Sequence, residues 1–422
     1  MSRLPQLYAW LALLTSAFPN LSTAEVRGLA WFSFGMILAQ SCSVSAVAFQ
    51  LSDLLGQKFD TVKQRLREWY CDADAKAGTH RRQLDVRTCF APLLHWVLRD
   101  WPCRQVALAL DATTLGQRFT TLAISVLYRG CAVPVAWKIL PATGKHPHKR
   151  HWQSLLKDFR QTLGAGWTVI VLADRGLYAK WLFRAIQKQS WHPFMRVKGN
   201  GTFRPAHAKQ RRPLASFVPA VGTQWQGRGQ AFQEARKQLR CTLLARWDEG
   251  YTDPWLVLTD LAPAAAAVCW YGMRSWIEQG FKRLKSGGWN WQRTHMSDPE
   301  RAERLWLVLA VGTWWCLLVG GEAETEVPVQ TLALVPEEPG GGGTPRRPAR
   351  RPAPRPPTSP PAVGGGGDAG KGPVRVISVF VRGRVVIVNT LLREGRLRLG
   401  RALPEPWPTQ APAARARASP AA

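Results

Sequence analysis

Three short apolar runs follow one another between residues 105 and 140: Gln105–Asp111 (QVALALD), Thr120–Leu127 and Cys131–Leu140. They are rich in β-branched and small residues and separated by short gaps, which predicts three consecutive strands of an antiparallel meander. A polar segment, His146-Pro-His-Lys-Arg-His151, comes next, and a helix to about Leu163 follows it. Then come another strand-like run, Trp167–Asp174 (WTVIVLAD), and a helix over Tyr178–Gln189. Strands that give way to strand–helix alternation predict an α/β domain on a mixed sheet.

The chain on either side of this unit has other periodicities. Leu4–Phe18, Ala24–Leu51, Thr61–Tyr70 and Pro92–Leu98 repeat apolar residues every three or four positions, which predicts a helical region over 1–100. Lys58, Lys63, Arg65, Arg67, Arg81 and Arg82 lie on or between these helices. We read the region as DNA-binding, with a helical cap on the next domain as the alternative. The following domain is placed at 101–320, interrupted over 199–262 by a Gly-, Arg- and Gln-rich stretch. That stretch holds candidate strands near Ala231–Phe232, Leu239–Trp247 and Trp255–Thr259, and reads as a mostly β insertion. Residues 336–373 contain two GGGG runs and eleven prolines, which cannot build a core, so 321–373 is expected to be a linker. Residues 374–422 are expected to form an amphipathic helix and a low-complexity tail.

Charge narrows the partner. Lys+Arg number 57 against 28 Asp+Glu, a formal net charge of +29, while 46% of the chain is hydrophobic. So apolar a chain can bury a core, which excludes disorder throughout. Residues 321–422 hold 15 basic and 8 acidic residues, a net of +7, which leaves +22 on residues 1–320. The body is basic in its own right and calls for a polyanion, either nucleic acid or an anionic membrane surface. The eight cysteines are scattered without a C-x-x-C pair, as expected of free thiols in a reducing, cytoplasmic compartment. Residues 1–24 imitate a signal peptide, and residues 28–52 and 305–321 are uncharged. Gln40, Ser41, Ser43 and Ser45 interrupt the first uncharged run, so core helices are expected and no membrane partner.

Chemistry has few candidate carriers. Asp111 and Asp174 each close an apolar strand, which sets a carboxylate at a sheet edge where a divalent cation can bind. Asp260, ending WLVLTD, is a rival with the same local form. A helix over 271–285 aligns Tyr271, Arg274, Glu278, Lys282 and Lys285 along one stripe, beside an apolar face of Met273, Ile277, Phe281 and Leu284. A solvated face with i,i+4 ion pairs is the simpler reading of that stripe. Trp225, Trp247, Trp289 and Trp291 could stack on a displaced base, although for each of them packing in the core is the preferred reading. His146, His148 and His151 read as a basic loop, and the chain has no phosphate-cradling G-x-x-x-x-G-K-[ST].

The helix matches Y-x2-R-x3-E-x6-K as Tyr271, Arg274, Glu278 and Lys285, in a chain with six tyrosines. In this the sequence resembles the DDE transposases of bacterial insertion sequences, cut-and-paste group. Asp111 in LALDATT and Asp174 in LADRGLY, 63 positions apart, resemble the family's first two catalytic aspartates. The 104 positions from Asp174 to Glu278 leave room for the β insertion that such proteins carry there. The likeness covers roughly 100–320, and PEPWP at 404–408 is also similar to the C-termini of such proteins.

The resemblance implies an RNase H-like mixed-sheet catalytic domain. It implies catalysis by Asp111, Asp174 and Glu278 through two Mg²⁺ ions, with Mn²⁺ as a substitute. DNA contacts fall to Tyr271, Arg274, Lys282 and Lys285. The substrates would be the terminal inverted repeats and target DNA, held by a homodimer or larger assembly at the nucleoid. Water would attack first, and the freed 3′-OH would then attack another strand. A nuclease that cuts without joining, a catalytically decayed DNA-binding derivative and a membrane protein are the competing readings.

Overall fold

A computed structural model of the chain describes residues 4–326 and 375–410, apart from 80, 144–147, 160, 161, 165 and 376. His146, residues 327–373 of the expected linker and the last twelve residues of the tail lie outside the described residues.

The N-terminal region is helical, with α1 (Leu4–Ala17), α2 (Thr23–Ala39), α3 (Val44–Leu55), α4 (Phe59–Tyr70) and α5 (Phe90–Leu98). Ser22 and Glu25 close a capping box that starts α2. The uncharged stretch 28–52, expected within a single helix, is instead broken. Gln40 takes a left-handed φ of 50°, and α2 and α3 diverge by 99°.

The meander follows as β1 (Gln105–Leu115), β2 (Phe119–Tyr128) and β3 (Cys131–Pro141). Next come α6 (His148–Asp158), β4 (Thr168–Ala173), α7 (Lys180–Gln187) and β5 (His192–Arg196). His148 and His151 therefore open a helix, where a basic loop was expected. The apolar run His192–Arg196 carried no strand expectation, yet it pairs in parallel with β4.

The stretch expected as an insertion consists of strands joined by loops and short 3-10 turns, with no α-helix among its described residues. It contains β6 (Thr202–Pro205), β7 (Arg212–Pro213), β8 (Gln224–Ala231), β9 (Leu239–Arg246) and β10 (Trp255–Thr259). β10 pairs antiparallel with β5, so the insertion extends the central sheet. Among the described residues the sheet has ten strands, in the order β3-β2-β1-β4-β5-β10-β9-β8-β6-β7.

The expected helix 271–285 is two pieces, a 3-10 turn over Val268–Ser275 and then α8 (Trp276–Leu284). Met273, Ile277, Phe281 and Leu284 are buried as their spacing predicts. Gly280 lets α8 lie directly on β3, since a Cβ there would stand 2.7 Å from the Ala132 carbonyl oxygen.

Last come α9 (Pro299–Glu326) and α10 (Val379–Asn389). α9 alone among the described helices is long and apolar enough to cross a membrane, and 89% of its apolar window is buried inside the protein. β3 lies on one side of it, and α2, α4 and α10 cover others. Trp10 of α1 stacks on Trp315 at 4.1 Å, and Trp137 of β3 donates to the Glu303 carbonyl. The helix continues to Glu326, inside the stretch expected as linker. α10 crosses it at paired glycines, where a Cβ on Gly383 would overlap the Cys316 carbonyl and one on Gly320 the Val379 carbonyl.

Candidate active site

β1 and β4 run in parallel register from Gln105↔Thr168 to Leu110↔Ala173. The next residue on each strand is an aspartate, so Asp111 and Asp174 stand side by side at the carboxyl end of the ladder. Neighbouring strands there are about 4.8 Å apart. β4 ends at this point. β1 does not, contrary to the strand end expected at Asp111, and it continues along β2 with Asp111 opposite Ala123.

Local hydrogen bonds aim both side chains. Asp174 Oδ1 accepts from the backbone N–H groups of Gly176 and Leu177, at 2.9 and 3.2 Å, which fixes the turn after β4. Asp111 Oδ1 accepts from the Ala112 N–H at 2.9 Å, which leaves Oδ2 turned outward.

The third carboxylate arrives on α8, and one guanidinium joins all three. Arg274 Nη2 lies 2.7 Å from Asp111 Oδ2 and 3.6 Å from Asp174 Oδ2, while Nη1 donates to Glu278 Oε1. Side-chain exposure is 17% at Asp111, 37% at Asp174 and 60% at Glu278, so Glu278 has the most freedom to swing. Burial pushes the Asp111 carboxyl above the ordinary range, although Arg274 pulls the other way. Burial also works against the charge on Arg274, yet Asp111 and its neighbours hold that pKa above the usual value.

The five residues of the expected stripe divide. Tyr271 is buried on the 3-10 turn near the Arg196 side chain, and burial pushes its hydroxyl up to about 12. Lys285, just past the end of α8, donates to Thr113 Oγ1 and to the Thr114 carbonyl, both at 2.7 Å. Its ammonium is thus tied to β1 two residues beyond Asp111, and burial lowers its pKa. Lys282 is exposed on α8 and does not line the cleft that holds the carboxylates.

That cleft has a volume of about 740 Å³ and is lined by six arginines, 129, 175, 196, 274, 283 and 375. Asp174 and Glu278 are its acidic members, with Tyr251, Trp255 and Trp276 on the walls. The rival Asp260 is elsewhere. It bonds His192 Nδ1 at 3.0 Å and Gln187 Nε2 at 3.1 Å, and lines a separate cavity. Trp289 and Trp291 are sealed in the core, Trp225 packs on Phe217 at 4.5 Å, and Trp247 donates to the Tyr251 carbonyl. The aromatic residues beside the carboxylates are therefore others than those the sequence suggested. Arg175 has a local signal, since it follows Asp174 directly. Arg129, in the β2–β3 turn at φ 45°, has none.

Three carboxylates presented to one positive charge form an all-oxygen donor set, as a hard divalent cation requires. Among the described residues, however, no three His, Cys, Asp or Glu side chains are placed to hold one ion, because the Arg274 guanidinium takes the shared position. The residue types fit a divalent cation once Arg274 withdraws.

No curated protein matches the chain. Among solved structures it is similar to a piggyBac transposase, described as a synaptic complex with hairpin DNA, at 12% identity and a TM-score of 0.35. The match covers 80% of this chain and 83% of that one. The family described as the transposase DDE domain matches residues 103–315, just over half of the chain and all three converging carboxylates. The chain belongs to the transposase DDE domain family.

Proposed function

We propose that this transposase binds the terminal inverted repeats of an insertion sequence as double-stranded DNA, and cleaves and joins strands on an RNase H-like domain. One observation carries the reading. Asp111, Asp174 and Glu278 come from three elements far apart in the sequence and meet at one guanidinium, beside a cleft that six arginines help to line.

Asp111, Asp174 and Glu278 would hold Mg²⁺, two ions in all, or Mn²⁺ in its place; such ions supply Lewis-acid stabilisation of the attacking and leaving oxygens. The chain itself does the orienting. Arg274 keeps three like charges together in the free protein and is placed to exchange Asp111 for a phosphate oxygen as DNA enters. Lys285, tethered by Thr113, offers a fixed cation beside Asp111 for the strand backbone. Joining two element ends requires at least two protomers, so a homodimer or larger assembly at the cytoplasmic nucleoid is part of the proposal, without a membrane partner.

Glu278→Gln tests the reading. It is expected to lower Mg²⁺-dependent strand cleavage by about a hundredfold or more while duplex binding persists. Unchanged cleavage would remove Glu278 from the chemistry. A strand-transfer assay with pre-cleaved ends separates a transposase from a nuclease, since cleavage without joining overturns the first.

A further inference from the structure

The cleft extends past the carboxylates. Its lining includes Arg283 of α8 and Ser378, the N-cap of α10. Arg384 of α10 stands close to Arg283, with the two guanidinium groups 5.8 and 5.9 Å from the centre of the same Phe380 ring. Burial most of all, and then the nearby positive charge of Arg283, lower the Arg384 pKa. Nη1 of Arg283 donates to the Gly287 carbonyl at 3.2 Å, and Nη1 of Arg384 donates to the Gly288 carbonyl at 3.4 Å.

What remains is unbalanced. The Nε–H groups of both arginines are buried and have no acceptor. Among the described residues no carboxylate pairs with either. Arg129 and Arg375, which line the same cleft, are matched by Glu324, and Arg375 also by Glu405. Two adjacent like charges with orphaned donors are costly to keep inside a fold, and buried donors of this kind normally have partners. Both arginines are half-buried, so an anion brought from outside can reach their guanidinium groups and answer both charges. The forked guanidinium geometry suits a phosphate, and the N-terminal turn of α10 adds the favourable end of a helix dipole.

We propose that Arg283, Arg384 and the first turn of α10 form a phosphodiester-binding subsite continuous with the catalytic cleft. The DNA strand held at the carboxylates then runs over the C-terminal segment, which shares in gripping it. The proposal rests on the DNA reading above. It also gives the segment after the Gly/Pro-rich stretch a direct part in substrate binding, and it accounts for a positive pair that no acidic residue answers.

The test uses the full chain and a fluorescein-labelled duplex of about 30 base pairs, with anisotropy followed as salt is raised. Arg283→Gln and Arg384→Gln are each expected to reduce the slope of log affinity against log salt by about 0.9, the loss of one phosphate contact. Arg384→Lys, which keeps the charge, is expected to retain the wild-type slope. If both Gln variants keep that slope, whatever their melting temperatures, the pair serves packing and the subsite is overturned. Inorganic phosphate forms a second arm. Stabilisation of the wild type by phosphate, combined with unchanged slopes in the Gln variants, would assign a small free anion and overturn the DNA assignment. A wild type that fails to bind duplex at low salt would sink the DNA reading itself, before any variant is made.

Discussion

Arg274 is the residue on which the site turns. Asp111 is mostly buried and its carboxyl sits above the ordinary range because burial opposes its charge. A raised carboxyl pKa stabilises the fold below the ordinary carboxylate range, and that contribution is lost as pH rises through the raised value. Arg274 offsets the loss by pairing with the ionised form. Arg274→Ala is therefore expected to cost about 1.5–3 kcal/mol near neutral pH, and distinctly less in acid, at a pH low enough to protonate Asp111. Denaturant unfolding of the metal-free variant at the two pH values measures this. An equal loss at both would mean that Arg274 acts by packing. The sequence made Arg274 legible as the partner of Glu278 four residues on. Its bonds to Asp111 and Asp174 were hidden, because they depend on how the 3-10 turn delivers its guanidinium to the sheet edge.

At the scale of elements, close backbone approach sets the positions of the two helices that matter. α8 rests on β3 through Gly280, and α10 rests on α9 through Gly383 and Gly320. Gly280→Val would drive a side chain into the Ala132 carbonyl and lift Glu278 away from the two aspartates. It is expected to destabilise by about 1–3 kcal/mol and to lower cleavage more than it lowers DNA binding. Gly383→Val is expected to loosen the C-terminal segment, seen as faster hydrogen exchange over 379–410 while the β1–β4 ladder stays protected. Full protection of that segment in the variant would show that the crossing tolerates a side chain. The apolar period of both helices was readable in the sequence. Their partners were not, since nothing local distinguishes a glycine that contacts a carbonyl from one that faces solvent. β5 escaped notice for a related reason. Five residues that contain a proline and begin and end with His192 and Arg196 offer no alternation, and only pairing with β4 and β10 makes them a strand.

For the molecule as a whole, charge decides what it can approach. The +22 on residues 1–320 is expected to make duplex binding steeply salt-dependent, with affinity falling on the order of a thousandfold between about 50 and 200 mM salt. A shallow dependence in a filter-binding or anisotropy titration would contradict a phosphate-dominated interface. Part of the tail's charge has another use. Arg375, Arg398 and Arg401 pair with Glu322, Glu324 and Glu326 at the end of α9, so those arginines serve to dock the C-terminal segment. PEPWP closes the docking, with Trp407 against Trp270 at 4.6 Å, on the turn that carries Tyr271 and Arg274.

The sequence by itself determined the strands that carry Asp111 and lead into Asp174, the acidic helix with Glu278, and the basic body. All of these follow from patterns within about fifteen residues, set by side-chain period and composition. Tertiary structure alone decided that the two aspartates are neighbours, because parallel register, a non-local pairing, aligns Leu110 with Ala173. It also decided that one arginine gathers three carboxylates and that a segment beyond residue 374 packs beside the cleft that holds them. Those are matters of three-dimensional approach between distant parts of the chain, where the energy lies in contacts that no local pattern encodes.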